Sequence, residues 1–393
     1  MYKRQKPRSP GQSGATGEIS ESAEYAEFIT TCEKFESLSR SDQHLIRYLA
    51  KVLRGQVFST DRCASYAEVA YARSKIEISP LLYGTDDIRL LRLMKPVTLE
   101  QLTFKGKSAP RNLEALQGLR IKVLRIEATF NVTEPVVIPE LDRMINLAIN
   151  PELTALSTLN IKFVGTTWAH RADLRLLHIQ NGDLDDISFI AHQIELRELY
   201  LTRNRVHDLK PLEDLLSLER LSMYRNQVSD IRPLAGLPNL ESIILTKNKL
   251  DPRAISLVAL PNLKELFVGD ANITDISPIA RLPLLRHFHA PDNNISSLRA
   301  LSGTNLEYLE VAGNQIENMD VITKIEHLKH LDFSRNPVHS LPDLSDHLSL
   351  ERIEASETEI DVCDAIKAPN LNYLRAPDQT IYIEGDFSGA GCD

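Results

Sequence analysis

Two histidines one residue apart come nearest to a chemically reactive group in this sequence. His287 and His289 lie on one face of a predicted strand, and Glu310 is expected on the next strand. Two imidazoles and a carboxylate are ligands that Zn²⁺ accepts. The histidines are expected about 7 Å apart along the strand, and no further ligand is specified. Surface histidines are the better interpretation, so the sequence predicts no metal site and no cofactor.

Other residue types used in catalysis are present but are not grouped. The chain has no phosphate-binding glycine loop, nucleophile elbow, zinc-protease helix or dinucleotide fingerprint. An enzyme would need catalytic residues in the weakly patterned segment that holds Trp168, His170 and Asp173. Four scattered cysteines without a CxxC spacing are interpreted as reduced thiols in a cytosol-like setting: Cys32, Cys63, Cys363 and Cys392. We therefore predict a protein that is not an enzyme.

The composition excludes two classes of partner. The chain has 393 residues and a formal net charge of -9, so it has no global basic field for nucleic acid or anionic lipid. No stretch approaches the roughly 18 apolar residues that indicate a membrane span. Hydrophobic residues make up 42% and charged residues 25%, which is ordinary for a soluble protein. We expect a monomer that binds a protein or peptide.

The first residues have a distinct composition. MYKRQ matches one reading frame of a common sequencing-library adapter, so we interpret residues 1–5 as non-native and expect the true N-terminus to be missing. A native basic tail is the alternative. Residues 1–18 are rich in Pro, Gly and Ser and are predicted to be disordered. The cytoplasm is the favoured location, and a secreted effector stays open because a signal could have preceded this sequence.

An internal repeat determines the architecture. The pattern L-x-x-L-x-L-x-x-N-x-I is met by LRELYLTRNRV, which starts at Leu196, and by LERLSMYRNQV, which starts at Leu218. Clear copies also start at Leu240, Leu306 and Leu328, and weaker copies start at Leu174, Leu263, Leu285, Leu350 and Leu371. The ten starts are 21 to 23 residues apart. A chance pattern would not keep that spacing.

Each part of the repeat has a physical role. The L-x-L segment predicts a short strand whose leucines face the interior, with successive strands paired in parallel. The amide of the repeated Asn can satisfy backbone groups at the inward turn. The second half reads D-I-x-P-L, in which Asp can cap a turn and Pro can begin a short 3₁₀ or helical segment. Gly182, Ala271, Thr358 and Gln379 replace the Asn in weaker copies, which should be looser there.

These residues resemble the 22-residue SDS22-like leucine-rich repeats, which are also found in bacterial internalins. The resemblance covers residues 174–383. It implies an α/β leucine-rich-repeat solenoid with a parallel concave β-sheet and short 3₁₀ or helical convex segments. The resemblance is specific for the fold and weak for function, because this repeat class serves many partners.

The chain divides into further segments around the regular repeats. Residues 19–73 carry apolar residues at helical spacing and predict an N-terminal helical cap, because the first repeat would otherwise expose its core; a small independent helical domain is the alternative. Residues 74–173 predict degenerate repeats, with strands near Ile76, Leu99, Ile121, Met144 and Leu156. Residues 384–393 form a C-terminal tail.

The concave face carries residues that the fold does not require. Counted from the first Leu of each repeat, positions three, five, seven and eight point toward the concave surface or its rim. Tyr and Arg are enriched at interface hot spots. The candidate partner-binding residues are Tyr200, Arg203, Tyr224, Arg225, Ile244, Lys247, Phe267 and His289.

Charge is also segregated along these positions. The four repeats from Leu174 carry four cations against one carboxylate, and the five from Leu285 carry six carboxylates against three cations. Such a bipolar groove would orient a complementary partner. The alternative is that neighbouring strands simply balance their charges.

The functional prediction is a non-enzymatic protein-recognition scaffold, of bacterial origin, that binds a protein or peptide on its concave face. An internalin-like effector that docks on a host protein and a phosphatase-regulating scaffold, as in the SDS22 resemblance, are both open. A structural array that associates with itself is a further alternative.

Overall fold

The structure of the protein is a computed structural model that divides into two compact units, Met1–Asn160 and Ile161–Asp393. It describes residues 23–34, 37, 43, 47, 75–78, 98–99, 101–106, 120–128, 136–137, 155–159, 161–162, 174–251 and 260–375. Most of the second unit is therefore described, and it contains the regular repeats.

The first unit contains the predicted degenerate strands. Its described elements are helix α1 (Ala23–Glu33) and strands β1 (Lys75–Ile78), β2 (Thr98–Leu99), β3 (Gln101–Gly106), β4 (Arg120–Ile121), β5 (Val123–Ala128), β6 (Val136–Val137) and β7 (Ala155–Leu159). Strands β1, β3, β5 and β7 pair in parallel in that order, and β2 pairs with β4. Four of the five strands predicted upstream of the regular repeats are thereby confirmed.

Two predictions for this unit fall wholly or partly outside the described residues. The first is the strand predicted near Met144, which lies outside the described residues. The described strands β5 and β7 pair directly with each other. The remainder of the expected helical cap, beyond α1, is the other. Trp168, His170 and Asp173 also lie outside the described residues.

The second unit begins with strand β8 (Ile161–Lys162) and continues with one strand from each regular repeat. These are β9 (Leu176–Gln180), β10 (Glu198–Tyr200), β11 (Arg220–Ser222), β12 (Ser242–Ile244), β13 (Glu265–Phe267), β14 (His287–His289), β15 (Tyr308–Glu310), β16 (His330–Asp332), β17 (Arg352–Glu354) and β18 (Tyr373–Arg375). From β9 to β18 each strand pairs in parallel with its sequence neighbours. The predicted parallel sheet and its register are confirmed.

The repeat leucines build the core by stacking on equivalent residues of neighbouring repeats. Leu196, Leu199 and Leu201 are fully buried, and the residues that match Leu199 in the next two repeats, Leu221 and Ile243, are 1% exposed. Burial of one such side chain contributes roughly 1.5–3 kcal/mol. The repeat spacing is therefore maintained by a continuous apolar column, which a strand displaced by one residue would break.

The predicted asparagine turn is confirmed in atomic detail. Asn204 accepts hydrogen bonds at Oδ1 from the backbone N–H groups of Gly182 and Leu184, at 2.9 and 3.2 Å. Its Nδ2 donates to the carbonyl oxygens of Ile179 and Leu201, at 2.8 and 3.0 Å. One buried amide thus joins two consecutive repeats. Equivalent residues do the same in other repeats, namely Asn226, Asn248, Asn293, Asn314 and Asn336.

A second series of asparagines, which the repeat pattern does not include, lies just before the first Leu of several repeats. Each Nδ2 donates to a carbonyl oxygen of the preceding repeat, over 2.6 to 3.4 Å. The series consists of Asn239, Asn262, Asn305 and Asn370. Pro-Asn-Leu in three repeats (from Pro238, Pro261 and Pro369) is the sequence signal that marks it.

The convex segments are short, as the sequence predicts. They are 3₁₀ helices at Ser188–Ile190, Lys210–Leu212, Arg232–Leu234, Ser277–Arg281, Arg299–Leu301 and Asp320–Lys324, and an α-helix α2 at Val362–Ala365. The expected Asp hydrogen bonds are present, but each Asp lies one residue before the N-cap position, which Ile occupies. Asp230 Oδ1 accepts a hydrogen bond from the backbone N–H of Arg232 at 2.9 Å, and Asp275 Oδ1 accepts one from Ser277 at 2.8 Å.

The interpretation of the cysteines as reduced thiols is wrong for the two that are described. Cys32, in α1, and Cys363, in α2, are both disulfide-bonded, and no free cysteine occurs in the described part of the chain. Cys63 and Cys392 lie outside the described residues. Spacing along the sequence could not reveal this, because disulfide formation depends on which Cα atoms the fold brings within reach.

Candidate partner-binding surface on the concave sheet

The parallel register aligns position five of every repeat into one continuous row, here called the central row. It contains His178, Tyr200, Ser222, Ile244, Phe267, His289, Glu310, Asp332, Glu354 and Arg375. The alternate strand residues are buried in the core, whereas most members of this row are half-buried. Four of the eight candidate residues therefore lie in this row, namely Tyr200, Ile244, Phe267 and His289.

Tyr200 has an internal partner. Its hydroxyl donates a 2.7 Å hydrogen bond to Oε2 of Glu198, and its ring meets that of His178 edge-on, with centroids 5.8 Å apart. Burial, the hydrogen bond to Glu198 and that carboxylate's charge raise the pKa of Tyr200 to about 12. Arg220 also contacts Glu198, at 3.4 Å. The hydroxyl of Tyr200 is thus already used in a hydrogen bond within the protein.

Ile244, Phe267 and His289 follow one another on β12, β13 and β14. The Phe267 ring stacks on the imidazole of His289, with centroids 4.3 Å apart and planes inclined by 12°. His289 Nδ1 is hydrogen-bonded to Oε2 of Glu310 at 2.7 Å, which holds the pKa of Glu310 below its usual value. This part of the central row is an apolar and aromatic surface, and its last ring, the His289 imidazole, is held by the Glu310 carboxylate.

Position eight of each repeat forms a second row, here called the turn row, with an unusual backbone. Its residues have φ between 48° and 65°, the left-handed region. That region favours Gly, Asn and Asp over other side chains. The turn row contains Asn181, Arg203, Arg225, Lys247, Asp270, Asp292, Gly313, Arg335 and Glu357.

Three consecutive cations occupy the turn row beside the apolar surface. Arg203, Arg225 and Lys247 are exposed, and none has a carboxylate oxygen within 4.0 Å in the part of the chain that the structure describes. The turns are neighbours, because the backbone N–H of Arg203 donates to the carbonyl of Tyr224 at 2.7 Å. The Arg225 guanidinium lies 5.6 Å from the centroid of the Tyr224 ring. We call these three cations the basic row.

The other half of the turn row is arranged differently. Arg335 Nη1 lies 2.8 Å from Oδ1 of Asp292, two repeats away. Gly313 lies between them, and a Cβ atom at Gly313 would collide with the Asp292 carboxylate and press on the Arg335 guanidinium. The absence of a side chain at this one repeat therefore opens the path for the ion pair.

Some carboxylates in the acidic half of the predicted bipolar groove contact neighbouring side chains of the protein. Glu354 lies 2.9 Å from Arg352 and 3.8 Å from Arg375, and Glu310 is bonded to His289. The excess of positive charge in the other half is not compensated in this way, because the basic row has no such partner among the described residues. The ion pairs of the acidic half use arginines that already count toward its charge, so carboxylates still outnumber cations there.

His287 and His289 do not share a ligand site. Their ring centroids are 6.4 Å apart, and each contacts a different carboxylate: His287 lies 3.5 Å from Glu265, and His289 lies 2.7 Å from Glu310. Within the described residues, no group of three or more His, Cys, Asp or Glu side chains has an arrangement that could hold a metal ion.

Position three adds aromatic contacts that the candidate set omits. Tyr308 meets the His287 ring edge-on at 4.5 Å and the His330 ring at 5.9 Å. Burial lowers the pKa of His330 and raises that of Asp332, the next charged residue of its strand. Tyr308 and His330 are visible in the sequence as position-three residues, but only the register places Tyr308 between His287 and His330.

Comparisons with known proteins agree with this geometry. A family model described as "Leucine Rich repeats (2 copies)" matches residues 194–236. Residues 174–251 and 260–375 form a leucine-rich-repeat solenoid. A search of curated proteins finds no match. No helix among the described residues has the length and apolar character needed to cross a membrane.

Several solved structures share the fold. An internalin from Listeria monocytogenes is 19% identical over 93% of this chain and 97% of its own, with a TM-score of 0.64. A leucine-rich-repeat protein of Leptospira interrogans is 18% identical over 78% of this chain and 90% of its own, with a TM-score of 0.52. A chain of the Drosophila Toll–Spatzle complex is 18% identical over 82% of this chain and 48% of its own, with a TM-score of 0.55. At these identities the likeness concerns the fold.

Proposed function

We propose that the protein is a non-enzymatic scaffold that binds a protein or peptide partner on its concave sheet. The observation that carries this proposal is the half-buried pair Ile244 and Phe267 on neighbouring strands, beside cations that have no carboxylate partner among the described residues. The solenoid core lies on the other face of these strands, so packing does not require apolar side chains here. Aromatic and Arg residues that converge on one concave surface are typical of protein interfaces.

The shared fold supports a binding role in general terms. The similar chain named above belongs to the Toll–Spatzle complex, which is an example of this fold in an assembly with another protein. The repeated strands present many side chains at fixed spacing, which suits recognition of an extended surface. The bacterial origin, the phosphatase-regulating role and self-association stay predictions.

The disulfides of Cys32 and Cys363 support a working location outside the reducing cytosol. Disulfides persist in secreted, periplasmic and cell-surface proteins and are rare in the cytosol. The proposed scaffold therefore meets its partner in an oxidising compartment. This replaces the cytoplasmic location favoured by cysteine spacing alone.

The proposal is tested with a concave variant and a matched control. The concave variant is Ile244→Ser/Phe267→Ser. The control is Ile194→Ser/Leu216→Ser, which removes two apolar side chains that are 55% and 54% exposed and lie outside the strands. Each protein is immobilised and exposed to extracellular and cell-surface proteins from candidate hosts, and circular dichroism checks the fold.

The expected result is a protein that the wild type and the control retain and that the concave variant loses. The proposal fails if every protein retained by the wild type is retained equally by the folded concave variant. A tyrosine-based variant is less suitable, because loss of the Tyr200 hydroxyl also removes the internal bond to Glu198.

A further inference from the structure

We propose that the basic row Arg203–Arg225–Lys247 is a carboxylate-binding site that takes a short, extended acidic segment of the partner, in which every second residue is Asp or Glu. This inference rests on the proposed function, since it names the chemistry that the partner brings to one edge of the concave surface. It is carried by the backbone, the charges and the spacing of three neighbouring turns.

The backbone does not explain why these positions are Arg and Lys. The φ angles of Arg203, Arg225 and Lys247 are 56°, 55° and 60°, a region that Gly, Asn and Asp occupy more readily. Asn181, Asp270 and Asp292 show that the same row accepts such residues in this chain. Three long cations in succession therefore cost conformational energy without helping the turn.

The three positive charges of the basic row also repel one another. Side chains on adjacent parallel strands are about 4.8 Å apart at their backbones, and like charges at neighbouring positions destabilise a sheet. Elsewhere in the same row the chain relieves such charges: Arg335 pairs with Asp292 across Gly313. The basic row lacks an equivalent pair among the described residues, so its counter-charge is left for a ligand to supply.

The spacing selects the ligand. The three cations span about 10 Å across three repeats, and alternate side chains of an extended peptide are about 7 Å apart on one face. Two carboxylates at that separation each lie between two neighbouring cations. The planar guanidinium groups of Arg203 and Arg225 are suited to bidentate contacts with carboxylates.

A polypeptide fits better than a nucleic acid. The net charge of the chain is -9, and Asp270 and Asp292 follow Lys247 directly in the turn row. A long polyanion that extended beyond the basic row would meet these carboxylates. Nucleic-acid-binding surfaces instead present an extended basic face. A short run of carboxylates matches the short run of cations.

The experiment measures binding of a fluorescein-labelled Glu-Ser-Glu-Ser-Glu-Ser peptide to the full chain by fluorescence anisotropy. A Gln-Ser-Gln-Ser-Gln-Ser peptide and a single-stranded oligouridylate serve as comparison ligands. The test variant is Arg203→Asn/Arg225→Asn/Lys247→Asn, which keeps a residue suited to the left-handed turn. The control variant is Arg335→Asn, at the equivalent position of a repeat whose cation is already paired.

We expect the Glu peptide to bind the wild type, the affinity to fall at least about tenfold in the triple variant, and the control to change it about twofold or less. Binding should weaken with salt, and the Gln peptide should not bind. Equal binding of the Glu peptide to wild type and triple variant overturns the proposal. So does tighter, row-dependent binding of the oligouridylate, which would make the row a nucleic-acid site.

Failure here is distinguishable from failure of the proposed function. If binding of the Glu peptide does not depend on the basic row while retention of a partner still depends on Ile244 and Phe267, the proposed scaffold function is supported and the carboxylate-binding site is contradicted. If the Glu peptide depends on the basic row while no retained protein depends on Ile244 and Phe267, the carboxylate site stands without the concave interface.

Discussion

Replacement of the basic row by asparagine is expected to stabilise the protein. The perturbation is the triple change Arg203→Asn/Arg225→Asn/Lys247→Asn. All three residues have φ between 55° and 60°, so each substitution exchanges a side chain that disfavours the left-handed turn for one that tolerates it. The same changes remove three like charges from adjacent turns, which acts in the same direction.

The magnitude follows from the backbone. A left-handed conformation costs a non-glycine residue roughly 1–2 kcal/mol. Asn recovers about half of that cost, so each position contributes roughly 0.5–1 kcal/mol and the triple variant gains about 1.5–3 kcal/mol in the free energy of unfolding. For a unit of the size of Ile161–Asp393, this gain in the free energy of unfolding corresponds to a rise in melting temperature of about 3–12 °C.

The assay is thermal unfolding followed by circular dichroism, at low and at high salt. The part of the gain that comes from charge repulsion shrinks as salt rises, and the part that comes from the backbone does not. Arg335→Asn is the matched control, with φ of 56° at the wild-type residue. It receives the same backbone relief but loses the ion pair with Asp292, so its melting temperature should change less per substitution.

An unchanged or lower melting temperature in the triple variant would refute this reasoning, because it would mean that the cations fit the turn as well as Asn does. Together with the peptide assay, the result separates two accounts of the basic row. A gain in stability with a loss of binding indicates cations retained for a ligand. A gain in stability without any loss of peptide binding indicates that the three cations do not bind an acidic ligand.

The remaining predictions concern the core, the disulfides and pH. Asn226→Ala leaves several buried backbone groups unpaired and should lower the free energy of unfolding by about 2–4 kcal/mol in urea titrations, whereas Asn239→Ala, which loses one exposed bond, should cost about 1 kcal/mol or less; equal losses would contradict the assigned roles. Alkylation of the native, unreduced protein should leave Cys32 and Cys363 unmodified in mass spectra. Their modification would show that they are free thiols and would contradict the proposed oxidising location. Burial lowers the folded-state pKa of His330, so the unfolded chain binds more protons below the ordinary value of 6.5 and stability should fall as pH drops through that value; His330→Asn should flatten this part of the melting temperature–pH curve, and an unchanged slope would argue against it.

The solenoid could be predicted from the repeat pattern alone. The spacing of 21 to 23 residues fixed the parallel register, because a strand that slips by one residue turns its leucines away from the core. The asparagine turn was predictable for the same reason: every repeat that closes tightly leaves the same backbone groups unpaired, and one side chain of the right length satisfies them. Positions on the concave face followed from the alternation of the strand, and seven of the eight candidate residues lie in the central row or the turn row.

Which of those residues already have partners within the protein could not be predicted from the repeat and depends on the fold. Tyr200 had the appearance of a hot spot, yet its hydroxyl is bonded to Glu198. Arg335 and Arg225 are equivalent in the repeat pattern, yet one pairs with Asp292 across Gly313 and the other has no carboxylate beside it among the described residues. The disulfides of Cys32 and Cys363 were missed in the same way. A repeat period specifies where each backbone position lies, but partners for side chains depend on reach, on the space left by neighbouring repeats and on which charges are already satisfied.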